Sequence, residues 1–192
     1  MVKKVVDTWK TKQWYQVMAP QLFDTKMIGE VIASEGNQLV NRVVQVGLDE
    51  LTGDFTQTYT SVRFRIVEVK GKNAVTKLIG FEQNPSYVKT FIKRHRTLVD
   101  DVIDVTTADG QDVRVKVIIF AAGKLARDAE AAMRTQIRKD IIEKASKLNL
   151  DDFLREILFK KFASTLGPNL KKIAPLKRIE VRKLEIKENF AK

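Results

Sequence analysis

Residues 98–119 read LVDDVIDVTTADGQDVRVKVII, and they predict a β-hairpin more clearly than any other segment of the chain. Four apolar residues alternate from Val113 to Ile119, with Arg114 and Lys116 on the opposite face. Asp109-Gly110 supplies the turn, because this pair accepts the positive φ angles that a tight hairpin requires. The segment therefore predicts two antiparallel strands.

Further short strands are predicted on either side of this hairpin. Upstream, β-branched and alternating residues fill 39–48, 58–69 and 74–81, and Gly71-Lys72-Asn73 forms a second hairpin turn. Downstream of Pro175 the apolar residues change phase, which indicates a bulge near Arg182-Lys183. We therefore expect an α+β fold: an antiparallel β-barrel-like sheet of about six to seven strands, with flanking helices and a C-terminal strand that returns to the sheet.

Helices are predicted at about 84–96, 126–147 and 150–164. Asn84-Pro85 is typical of a helix start, and Asn149 can cap the third helix. Gly167-Pro168 is expected to end the chain's helical part. Residues 1–37 are expected to form a largely irregular N-terminal arm, and residues 38–192 a single globular domain.

Composition narrows the class of function. The 192 residues contain 35 Lys and Arg against 24 Asp and Glu, a net charge of +11, with no cysteine and one histidine, His95. Thiolate and multi-histidine metal sites are therefore excluded. No secretory signal or long apolar run is visible, so we expect a cytoplasmic protein without a membrane partner. Residues 123–192 carry +8 of the charge, which indicates a polyanionic partner.

No motif of a nucleotide-binding or nucleophilic enzyme is present, so we expect no catalytic residue, cofactor or small-molecule substrate. Asp100, Asp101 and Asp104 leave one alternative open, a Mg²⁺-dependent RNA-processing enzyme. Neighbouring residues of a strand point to opposite faces, however, so a solvated acidic surface is the favoured interpretation of this cluster.

Basic residues form the candidate RNA-binding set. In the N-terminal arm, cations interleave with aromatic rings that either stack on bases or anchor the arm, and a free single-stranded RNA-binding module is a further alternative. A helix stripe and several basic pairs supply the rest of the set. The candidates are Lys10, Lys12, Trp14, Tyr15, Arg127, Arg134, Arg138, Lys160, Lys161, Lys171, Lys172, Arg182 and Lys183.

Several motifs of the chain resemble one family. The opening KQWYQVMAPQLF at 12–23, the basic helix motif RTQIRK at 134–139 and the closing strand at 179–183 are the specific parts. Weaker matches occur at 42–54 and 69–73. Together they resemble the small-subunit ribosomal protein family S-three-A-e, also called e-S-one, of archaea and eukaryotes, from about Lys12 to Ile186.

This resemblance implies a non-catalytic structural protein that binds small-subunit rRNA on the platform near the mRNA exit and supports translation. It implies neighbouring platform proteins as partners, with mRNA near the exit as an optional one. The implied RNA-binding residues are Lys12, Trp14, Tyr15, Arg134, Arg138, Lys139, Arg182 and Lys183. The eukaryotic members look longer at the C-terminus, so an archaeal-type member is expected.

Overall fold

The computed structural model describes residues 9–159 and 161–188. These residues form a mixed α+β fold with eight strands and five helices. The strands are β1 Gln13–Met18, β2 Met27–Ala33, β3 Val43–Gly47, β4 Thr60–Lys70, β5 Asn73–Gln83, β6 Leu98–Thr106, β7 Asp112–Ala121 and β8 Leu176–Ile186. The helices are α1 Leu48–Thr52, α2 Pro85–Phe91, α3 Arg127–Lys147, α4 Leu150–Leu158 and α5 Lys161–Lys171.

The chain divides into two compact units between Ile79 and Gly80. In the first unit, β1 pairs antiparallel with β2 and parallel with the start of β5, and β3 pairs antiparallel with β4. Its core gathers Tyr15, Val17, Ala33, Leu39, Ile66 and Ala74. The irregular arm predicted for residues 1–37 is thus wrong for 13–18 and 27–33, where β1 and β2 form because Tyr15 and Val17 alternate with exposed Gln16 and enter this core.

In the second unit, β7 is the central strand. It pairs antiparallel with β6 on one side and with β8 on the other, and β8 also pairs with the end of β5. The predicted hairpin is therefore confirmed, and the C-terminal strand does return to the sheet. Two register shifts between β7 and β8 leave Lys177 and Arg182 as extra residues of β8, so the bulge expected at Arg182 is confirmed.

The helices differ in extent from the prediction. Asn84 caps α2 through its side chain, which accepts from the Ser86 N–H at 3.0 Å, but α2 ends at Phe91 rather than near residue 96. The Asn149 side chain makes no cap, and Asp109 of the hairpin turn instead accepts from the Leu150 N–H at 2.8 Å. A capping acceptor can come from any neighbouring loop, which the local sequence does not show.

Two further corrections concern α5 and the sheet. Pro168 lies inside α5 instead of ending the helical region, because Phe162, Leu166 and Leu170 recur at a spacing of four and are all buried. The strand pairings of the described residues join eight strands into an open sheet in the order β2-β1-β5-β8-β7-β6, with β3 and β4 branching from β5. These pairings do not close into a barrel, and the β1–β5 pair is parallel.

Candidate nucleic-acid interface

The two aromatic candidates of strand β1, Trp14 and Tyr15, lie on opposite faces of the strand. Trp14 is 59% exposed, whereas Tyr15 is 7% exposed and lies in the core of the first unit. Tyr15 is therefore an anchor of the sheet, which weighs against its predicted stacking on RNA bases. Trp9 is also exposed, and the Lys12 ammonium lies 4.3 Å from the centre of its ring. Exposed rings beside cations suit stacking on unpaired bases.

Helix α3 buries one stripe and presents its arginines beside that stripe. Met133, Ile137 and Ile141 are buried. Arg138 donates from Nε and Nη2 to the two carboxylate oxygens of Asp101 on β6, each at 2.6 Å. This bidentate pairing holds the guanidinium against the sheet and raises the pKa of Arg138 through its hydrogen bond with Asp101.

Arg134 is held less firmly, by β6 and by its own helix. Its Nε lies 3.4 Å from the Asp100 carbonyl oxygen, and its Nη2 lies 3.9 Å from Glu130. Arginines of α3 therefore contact acidic residues of β6. The sequence alone presents these two groups as separate candidate sites. Exposed Arg127 and Lys139 remain on α3 without an ion-pair partner in the described part of the chain.

Asp104 of the acidic cluster is engaged by two basic side chains. Asp104 accepts from Arg114 at 2.8 and 2.9 Å and lies 3.1 Å from the Lys187 ammonium, so these two cations hold its pKa well below the usual range. Within residues 9–159 and 161–188, no group of three or more Asp, Glu or His side chains is placed to hold a metal ion. No helix among those residues is long and apolar enough to cross a membrane.

One face of the second unit's sheet carries a ladder of ion pairs across neighbouring strands. Lys116 of β7 lies 3.8 Å from Glu185 of β8, and Lys183 lies 2.8 Å from Glu185 and 3.3 Å from Glu82 of β5. The Lys183 side chain is 19% exposed, and its carboxylate neighbours raise its pKa. Lys183 is therefore engaged in pairing strands, which weighs against its predicted contact with RNA.

The remaining basic candidates of the second unit are exposed. None of them has an ion-pair partner among the described residues, and Lys160 lies outside those residues. The exposed candidates are Arg127, Lys139, Lys161, Lys171, Lys172 and Arg182. Lys10 is exposed in the first unit.

Strand β8 and helix α5 border a groove of about 400 Å³. Lys171 of α5 and Lys177 and Arg178 of β8 line it, beside the buried carboxylate of Glu180. Glu180 accepts from Gln83 at 2.8 Å and lies 3.5 Å from the Tyr87 hydroxyl, and the Arg178 guanidinium pairs with it. Arg178 is thus structural, whereas the exposed bulge residue Lys177 joins the candidate set.

Sequence reasoning left out Lys177 and the loop cations Lys93, Arg94, Arg96 and Lys124. A signal was present in the sequence: Lys177 belongs to a basic pair, and 93–96 reads KRHR. The predicted set drew on the N-terminal arm, one helix stripe and basic pairs of the C-terminal third, so it did not include the loop at 92–97.

The comparison with known protein families decides the assignment. The family model described as "Ribosomal S3Ae family" matches residues 1–189. The chain belongs to the Ribosomal S3Ae family.

Its curated relatives cover nearly the whole chain. A protein named small ribosomal subunit protein eS1 from Archaeoglobus fulgidus is 36% identical over 185 residues, which is 95% of this chain and 88% of the relative. A protein of the same name from Saccharolobus islandicus is 37% identical over 191 residues, covering 98% of this chain and 92% of the relative. The S3Ae resemblance noted from the sequence is thereby confirmed.

Proposed function

We propose that this S3Ae chain is a structural, non-catalytic constituent of the small ribosomal subunit in the cytoplasmic ribosome, where it binds rRNA and supports translation. Its match to the family over residues 1–189 carries the proposal. The net charge of +11 supports it, as do the exposed cations of the second unit that have no ion-pair partner among the described residues, because such groups neutralise RNA phosphates.

The interface divides its cations into two kinds. Cations in ion pairs, such as Arg138 and Lys183, hold helix and strands in place. Exposed cations without such partners, such as Lys139, Lys171 and Arg182, contact the RNA backbone. Backbone contacts of this kind fix the position of a protein on RNA without reading its sequence. The exposed ring of Trp14 adds stacking on an unpaired base.

The proposal extends to the location in the subunit. The chain lies on the platform near the mRNA exit, next to other platform proteins, with mRNA as an optional further contact. It is an archaeal-type member, as its similarity to the Archaeoglobus fulgidus relative supports.

Co-sedimentation tests the proposed function. A tagged copy expressed in Archaeoglobus fulgidus should travel with small subunits through a sucrose gradient at high salt. Recovery in the soluble fraction at the top of the gradient would contradict the proposal. Crosslinking within the recovered subunits would then identify the neighbouring rRNA and proteins, and neighbours remote from the platform would contradict the proposed location alone.

A free single-stranded RNA-binding module is the second candidate, because Trp9 and Trp14 are both exposed. Quenching of tryptophan fluorescence distinguishes the two functions. Strong quenching by short unstructured oligonucleotides, with none by folded small-subunit rRNA, would favour the free module.

A further inference from the structure

Two loops of the second unit carry cations and no acidic residue. The α2–β6 loop, residues 92–97, reads IKRHRT, and the β7–α3 loop with the first residue of α3, residues 122–127, reads AGKLAR. Their five Lys and Arg residues form what we call the two-loop cluster: Lys93, Arg94, Arg96, Lys124 and Arg127.

Thr97 ties the two loops together. Its N–H donates to the Gly123 carbonyl oxygen at 3.1 Å, and its carbonyl oxygen accepts from the Ala121 N–H at 3.0 Å. Its hydroxyl oxygen accepts from the Leu125 N–H at 2.9 Å. These three bonds hold the loops side by side, so the cations of both loops lie in neighbouring segments of the fold.

The cations of this surface lack the carboxylates that accompany other cations of the unit. Lys93, Arg94, Lys124 and Arg127 are exposed, and in the described part of the chain none has a hydrogen-bonded or ion-paired partner. Arg138 and Lys183, by comparison, each meet a carboxylate within 2.8 Å. Like charges held together repel one another, so a bound polyanion would relieve a cost that the free protein bears.

Arg96 gives a second, independent observation. It is half-buried, and its Nη1 is a buried donor without an acceptor among the described residues. A buried donor without a partner is costly, and an acceptor that reached it would recover that free energy. Within the same loop, His95 lies between Arg94 and Arg96 and takes a left-handed conformation with a φ of 60°.

We propose that the two-loop cluster is a docking site for the phosphate backbone of rRNA, independent of base sequence. The inference rests on the proposed function and deepens it. RNA fits better than an acidic protein segment, because the surface offers three guanidinium forks suited to phosphate and, of the large apolar side chains in the two loops, only Ile92 is more than half exposed. The cluster contributes more to the salt dependence of binding than the Arg134 and Arg138 pair does.

Filter binding to deproteinised small-subunit rRNA from Archaeoglobus fulgidus tests the inference, with KCl varied from low to high concentration. The variant Arg94→Gln with Lys124→Gln removes two exposed cations. The plot of log affinity against log salt should become less steep, with the magnitude of its slope lower by about 1.4 to 1.8. Binding releases fewer counterions when two phosphate contacts are lost. Arg94→Lys keeps the charge and should leave the slope near that of the wild type.

The matched control is Lys70→Gln with Lys147→Gln. It removes the same charge from side chains that are 68% and 67% exposed but already paired with Glu68 and Glu143. An equal fall in slope for both double variants would show a general effect of net charge and overturn the inference.

The other outcomes separate the inference from the proposed function. A wild-type protein that bound rRNA, together with an unchanged slope for the cluster variant, would overturn the inference alone. A cluster variant that bound rRNA normally but lost a protein neighbour in assembled subunits would assign the surface to an acidic protein instead. A wild-type protein that failed to bind rRNA and to enter the small subunit would overturn both.

Discussion

At the scale of single residues, Gly80 of β5 lies directly against the backbone of β8. A Cβ atom built on Gly80 would lie 2.2 Å from the Leu184 carbonyl oxygen, and the φ angle of Gly80 is 156°. Both facts exclude a side chain here without a shift of the backbone. Gly80→Ala should therefore lower the free energy of unfolding by about 1–3 kcal/mol, measured by urea denaturation. Gly29→Ala is the control, because nothing lies within 4 Å of its Cβ position; an equal loss there would contradict this explanation.

Asp104 gives a prediction about pH. Hydrogen bonds from Arg114 and Lys187 hold its pKa below the value of about 3.9 expected in the unfolded chain. A lowered pKa stabilises the fold above the unfolded value, and this contribution disappears as pH falls through the folded value. The melting temperature of the wild type should thus exceed that of Asp104→Asn at pH 7, and the difference should shrink from about pH 4 downward. Glu35→Gln, at an exposed residue, is the control; a difference for Asp104→Asn that did not depend on pH would contradict the assignment.

At the scale of elements, the Arg138–Asp101 pair fastens α3 to β6. The Asp101 side chain is 8% exposed, so removal of its charge leaves a fixed guanidinium beside a poorer acceptor. Asp101→Asn should lower the melting temperature by a few degrees, and Arg138→Gln should cost less in that background than in the wild type. Asp100→Asn is the matched control, because Asp100 meets α3 through its backbone carbonyl. Additive effects of Asp101→Asn and Arg138→Gln would show that the pair does not couple the two elements.

The elements that the sequence predicted well are those whose pattern is local. Alternation and the Asp109-Gly110 turn predicted β6 and β7, and the change of phase predicted the bulge at Arg182. The parallel pairing of β1 with β5 joins residues far apart in the chain, which no local pattern reports. The same holds for the site. The cations could be identified from the sequence, but the pairing of Arg138 with Asp101, which lies 37 positions away, could not.

At the scale of the whole molecule, stability is expected to be uneven. Strand β7 is paired along both sides, and most of its side chains are buried, whereas β6 pairs with β7 alone among the described strands. Amide exchange measured by mass spectrometry should therefore be slowest in peptides from 113–121 and faster in those from 27–33, because β2 also lies at an edge. Faster exchange in β7 than in β2 would contradict the pairing described.

Charge is also uneven over the whole molecule. Residues 80–192 contain 24 Lys and Arg against 16 Asp and Glu, a net charge of +8, while residues 1–79 have a net charge of +3. The structure adds what the counts cannot: in the second unit, most carboxylates of β6 and β8 are used in ion pairs, so the surplus is concentrated on loops, on helices and at the bulges of β8.

The bulge at Arg182 changes which residues of β8 point toward the core. Val181 and Leu184 both occupy apolar positions although they are three residues apart, because Arg182 is the additional residue between them. Deletion of Arg182 alone would restore a spacing of two and keep Leu184 and Ile186 facing the core, whereas deletion of Glu185 would turn Ile186 toward solvent. The sheet can thus dispense with Arg182, which leaves its exposed side chain available for the RNA contact proposed above.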